Sequence, residues 1–143
     1  MGVAGAIWYI SIYGLANGGM FLCAGIVEKA TRTRDLNRLG GLGRTMPVTA
    51  FAFFVCAFSI MGLPPFGGFW AQYMLTAGTV SSGHPWLALL VLVVAVLTVI
   101  YLLRLFGKIF TGPTRYADVK EGTWEMILSV LVLAVLALSL IHI

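Results

Sequence analysis

The chain is poor in charge. Of its 143 residues, 10% are Asp, Glu, Lys or Arg, while 60% are hydrophobic; a water-soluble domain carries about 25% charge. That shortage argues against a soluble globular fold, a disordered tail and a nucleic-acid-binding module, although nine cations against five anions leave a net charge of +4. Cys23 and Cys56 are the only cysteines and stand too far apart for a disulfide framework or a CxxC knuckle. With no cysteine cluster, no paired histidines and no Gly-rich nucleotide turn after a strand, no cofactor, no metal and no catalytic centre of its own is expected. No Lys, Arg, His, Asp or Glu occurs between Gly2 and Val27, or between Pro47 and Val80. Intramembrane acid–base catalysis therefore ranks last among the functions considered.

What the chain has is long apolar runs, with a mean hydropathy of +1.00. A bilayer's hydrocarbon core takes about 20 residues of apolar helix, and backbone polar groups in lipid must be paired within the segment. Four stretches meet that length: about 3–27, 47–80, 85–110 and 124–143. The expected fold is an all-α integral membrane protein of four transmembrane helices, residues 1–143 forming one partial transmembrane domain.

All nine cations fall on two connections. The first holds Lys29, Arg32, Arg34, Arg38 and Arg44 beside Glu28 and Asp35; the other region holds Arg104, Lys108, Arg115 and Lys120 beside Asp118, Glu121 and Glu125. The segment between them, Thr76 to Pro85, carries only His84 as a titratable group. The positive-inside rule then places loops 28–46 and 111–123 in the cytoplasm, with the multi-pass chain in the inner (cytoplasmic) membrane. Met1 has no basic n-region behind it, so a signal peptide is not expected. Both ends read as cut from a longer polytopic protein, and the closing Ser139 to Ile143, with His142, reads as adapter-derived and receives no role.

The second stretch contains Gly62-Leu63-Pro64-Pro65-Phe66-Gly67-Gly68-Phe69-Trp70. Two prolines remove two amide donors, and Pro65 drives Pro64 out of the α region. Gly62, Gly67 and Gly68 add permissive backbone. The pattern predicts a helix ending near Met61 and restarting near Phe69, a discontinuous span around Gly62–Gly68. Free main-chain dipoles at membrane depth are tolerated inside protein or beside a hydrated cavity, and transporters use such broken helices at ion sites; a plain proline kink that shapes packing is the alternative.

Thr33-Arg34-Asp35-Leu36, Leu39-Gly40-Gly41-Leu42, Met46-Pro47 and then Gly62 through Trp70, in that order, resemble the antiporter-like (proton-translocating) membrane subunits of respiratory complex I, membrane-bound hydrogenases and Mrp Na+/H+ antiporters. The resemblance covers about 5–75. It implies a parent fold of about fourteen helices built on inverted repeats, of which this chain is a C-terminal fragment matching the final four. It also implies an ion-translocating (H+ or Na+/H+) subunit of a complex I-like, hydrogenase-like or Mrp-type complex, working beside other membrane subunits. Where complex I relatives carry a His-x-x-x-His-x-x-x-Lys pattern, this sequence has Tyr9, Tyr13 and Asn17. Where they place Lys or Glu after the break, it has Gln72.

Tyr9, Tyr13 and Asn17 recur at intervals of four and so share one helix face. They and Gln72 are the ion-pathway candidates, as hydroxyl and amide groups that orient water or coordinate Na+ but do not store a proton at neutral pH. The competing use is helix packing, aided by Gly14, Gly18 and Gly19. Arg104 and Lys108, four apart, read as snorkelling anchors, and by the resemblance as a candidate cytoplasmic exit. The alternative function is a degenerate structural subunit of such a complex, without its own proton path.

Overall fold

The computed structural model describes residues 2–140. Six helices account for most of them: α1 (Gly2–Thr31), α2 (Leu42–Thr45), α3 (Pro47–Met61), α4 (Gly67–Ser81), α5 (Pro85–Phe110) and α6 (Trp124–Ser139). No strand occurs among the described residues. Pro47 and Pro85 stand in the first turns of α3 and α5, where a missing N–H costs no helical bond. α1 runs four residues past the expected end at Val27. It stops at Arg32, whose φ of 54° is left-handed, and the Arg32 N–H still reaches the Glu28 carbonyl at 2.7 Å. α1 and α5 are long and apolar enough to cross a bilayer, whereas α3 and the described part of α6 are shorter apolar helices. His142 and the end of the fourth expected stretch lie outside the described residues.

α3 and α4 are separate helices of 15 residues each, about 22 Å at 1.5 Å per residue. Both pack against α1, one after the other and antiparallel to it. A side chain at Gly2 would meet Gly78 at 3.6 Å, one at Gly5 the Met74 Cβ at 2.8 Å, and one at Gly19 the Cys56 Sγ at 2.5 Å; beyond them the Cys23 thiol reaches the Thr49 carbonyl at 3.8 Å. The close-approach glycines are therefore Gly5 and Gly19. Gly14 faces open space, and Gly18 is 3.9 Å from Leu133, so neither makes the tight packing contact expected of it.

The core lies where α1, α3 and α6 meet, around Ala16, Cys23, Ala52, Cys56, Val130 and Ala134, all no more than 2% exposed. α3 and α5 join through aromatic rings. Phe53 packs on Phe110 at 5.3 Å between centroids, and Phe54 stacks on Phe58, which reaches Phe66 in the connection between α3 and α4 at 5.9 Å. The outer face of α5, including Leu89, Leu92, Val93, Val96, Leu97 and Ile100, is apolar and exposed, a surface suited to lipid or to other helices.

The two charged connections meet at one end of the bundle. The Gly41 N–H donates to the Thr111 carbonyl at 2.9 Å, Lys108 donates to the Asn37 Oδ1 at 3.4 Å, and Arg115 donates to the Asn37 carbonyl. Glu121 reaches under α3, where its Oε1 accepts the N–H groups of Val48 (2.6 Å) and Thr49 (3.1 Å). This carboxylate meets two of the amides that every helix leaves free at its start, at the positive end of its dipole.

Candidate functional site

The connection 62–66 is a compact double turn. Gly62 takes φ 67°, and its N–H turns back to the Ser59 carbonyl at 3.3 Å. The Phe66 N–H then bonds Leu63 at 2.9 Å, and the Phe69 N–H bonds Phe66 at 3.1 Å. The Pro64–Pro65 bond is cis. α4 resumes at Gly67, two residues before the expected restart. The three glycines have different reasons. Only Gly62 needs the left-handed region; Gly67 and Gly68 are helical and buried. At Gly68 a side chain would run into the Ser59 carbonyl and come within 3.6 Å of the Gly62 Cα, so close approach, and not a special backbone angle, excludes a Cβ.

Gln72, one turn into α4, lies over this turn. A Cβ on Gly62 would overlap the Gln72 Oε1 and meet Nε2 at 3.1 Å. On the other side, Gln72 lies within interaction range of the half-buried Tyr9 hydroxyl, although the two do not close a regular hydrogen bond. Tyr9 in turn stacks on Tyr13, with centroids 5.4 Å apart and planes at 28°.

The four sequence candidates therefore divide. Tyr9 and Gln72 come together beside the break. Tyr13 and Asn17 instead line a separate groove of about 460 Å³, bordered by α3 and α5 and including Phe53, Ile60 and Leu102. Gln72 also lines an apolar cavity of about 430 Å³ between α4 and α5, with Met61, Gly62, Thr76 and Val99. The stripe on α1 thus fails to face the break along its whole length. Four residues advance a helix by about 400°, so each step drifts about 40°, and by Asn17 the face has turned away from α4. Arg104 is exposed, while Lys108 is held to Asn37 at the charged end.

Three polar groups escaped the sequence reading. Ser59 and Thr49 are each 1% exposed, and their hydroxyls have no partner, an arrangement that costs about 1–3 kcal/mol per group unless water enters. Ser59 sits at the end of α3 where the turn begins, and the glycine three residues on was its only signal. Glu121 carried none, because its partners lie 72 and 73 residues away.

The NADH:quinone oxidoreductase/Mrp antiporter transmembrane family matches residues 1–98. Among curated relatives, the D-type Na(+)/H(+) antiporter subunit of Alkalihalophilus pseudofirmus is 32% identical over 118 residues, covering 82% of this chain and 24% of that protein. The N-type NADH-quinone oxidoreductase subunit of Paramagnetospirillum magneticum is 30% identical over 144 residues, covering 99% of this chain and 30% of that protein. Among solved structures, the archaeal membrane-bound sulfane sulfur reductase, a respiratory membrane complex, superposes with a TM-score of 0.90 at 26% identity, over 96% of this chain and 23% of its own. The Mrp complex of a Dietzia species superposes at 0.87 and 24% identity, over 96% of this chain and 34% of its own, a likeness of fold. The chain spans about a quarter to a third of the length of these relatives. Family match and close relatives agree with the ordered motifs from Thr33 to Trp70: this chain belongs to the NADH:quinone oxidoreductase/Mrp antiporter transmembrane family.

Proposed function

We propose that the chain forms part of an ion-translocating membrane subunit, moving H+ or exchanging Na+ for H+, in an Mrp-type, hydrogenase-like or complex I-like assembly with other membrane subunits. In this reading α3 and α4 are two halves of one discontinuous transmembrane helix, the second of four spans. The observation that carries it is their succession along α1, with Thr49 beside Cys23 and Gly78 beside Gly2. Neither half alone matches a hydrocarbon core of about 30 Å, and together they do. Gln72, Tyr9 and the unpartnered Ser59 hydroxyl gather polar groups where the helix opens, the setting in which transporters hold ions and water. The meeting of both cationic connections at one end supports a multi-pass arrangement with loops 28–46 and 111–123 on the cytoplasmic side of the inner membrane.

The test is ion flux through the full-length protein in proteoliposomes. Replacing Pro64 and Pro65 together by Ala straightens the turn and is expected to abolish coupled transport; flux at the parental rate would refute a working break. The second reading, a structural subunit without its own path, is favoured by the neutral Asn17 and Gln72. It predicts that the parental protein moves neither ion while its complex still assembles.

A further inference from the structure

A second feature lies at the charged end of α1. Lys29, Arg32, Thr33 and Arg34, with Gly25 and Glu28, line a cup of about 560 Å³. Glu28, Thr33 and Arg34 also border the apolar groove that runs past Ala24, Phe21 and Met20 to Tyr13, with Leu105 and Ile109 on the opposite wall. The cup and the groove are therefore continuous. Glu28 is matched by Arg34 at 2.7 Å, which leaves Lys29 and Arg32 uncompensated within the cup and the rest of the Arg34 guanidinium open to solvent. The Lys29 ammonium has only the Met126 sulfur, at 3.7 Å, as a polar neighbour. Arg32 holds a left-handed φ of 54° at a helix end where glycine is the usual residue, so a cation stands at this position against the local backbone preference.

We propose that the cup and groove bind one anionic phospholipid, its phosphate among Lys29, Arg32 and Arg34 and an acyl chain against the groove wall. Each half of the site excludes other occupants. A soluble anion has no use for the apolar groove, and a packed apolar helix leaves the cations at its mouth unneutralised. From Glu28 to Tyr13 the groove follows fifteen residues of α1, about 22 Å, enough for a chain that crosses one leaflet of about 15 Å. Basic pockets between helices on the cytoplasmic side are established headgroup sites in membrane proteins. The proposal concerns lipid binding and stands whether or not the subunit transports ions.

The test is native mass spectrometry of the full-length protein titrated with phosphatidylglycerol or phosphatidylcholine. We expect phosphatidylglycerol to bind more tightly. Removing each cation should weaken it about fivefold, so the combined K29Q, R32Q and R34Q variant should lose more than tenfold while phosphatidylcholine binding stays level. All three side chains are exposed, and a thermal melt equal to the parent's confirms that the variant folds. Ala24→Trp, which fills the groove and leaves the cup intact, should weaken both lipids. Equal binding of the two lipids, or a preference that survives the triple variant, overturns the proposal. So does an Ala24→Cys thiol shielded from maleimide in lipid-free full-length protein, because another helix then occupies the groove.

Discussion

The Gln72 carboxamide rests on the Gly62 Cα so closely that no Cβ fits between them. The same glycine holds φ 67° to end α3, so one position sets both the turn and the seat of the polar side chain above it.

Gly62→Ala should therefore destabilise the full-length protein twice over, by about 1 kcal/mol for the left-handed backbone and by a further 1–3 kcal/mol, roughly, for displacing Gln72. Adding Gln72→Ala should restore the second part and leave the first. Thermal unfolding in detergent checks this. Equal melting of the Gly62→Ala single and double variants would show that the two residues are not in contact.

Gly68→Ala should be worse tolerated than Gly67→Ala, although both glycines are helical and buried. The added methyl at Gly68 drives into the Ser59 carbonyl, whose atoms belong to the backbone and cannot swing aside. The expected cost is about 1–3 kcal/mol, read as a lower melting temperature.

Glu121→Ala should remove the acceptor shared by the Val48 and Thr49 amides and cost about 0.5–2 kcal/mol. Glu121→Gln keeps an acceptor oxygen but loses the charge at the helix dipole, so an intermediate loss is expected. A ranking of Glu above Gln above Ala in melting temperature separates the cap from simple loop packing, in which Gln would match Glu.

Gln72→Lys and Asn17→Lys place an ammonium in each of the two polar environments. If Gln72 lies on the ion route, its replacement should change flux in proteoliposomes more than that of Asn17, which opens on the other groove. Identical flux in both variants and the parent would remove these residues from the path.

Hydropathy and proline placement made much of the helical layout legible. Pro85 opens α5 and Pro47 opens α3 because a proline in the first turn loses nothing. The end of α1 was not legible: Glu28 and Lys29 lower the hydropathy, yet a helix leaving an apolar layer needs no apolar residues to continue, and Arg32 gives no sign of a left-handed stop. Within the candidate site, the link between Tyr9 and Gln72 followed from helical spacing and the break. The separation of Tyr13 and Asn17 did not, because it depends on how α1 rotates against two successive partners. Ser59 and Glu121 were invisible for a related reason, since tertiary approach defines both.

The clasp between Glu121 and the start of α3 bears on biogenesis. The Val48 amide emerges from the ribosome 73 residues before the carboxylate that will receive it. Until then it rests on interfacial water or lipid headgroups, which keeps the entry of α3 at the membrane surface and delays its final seating. The last connection to be synthesised is thus the one that fastens the bundle shut.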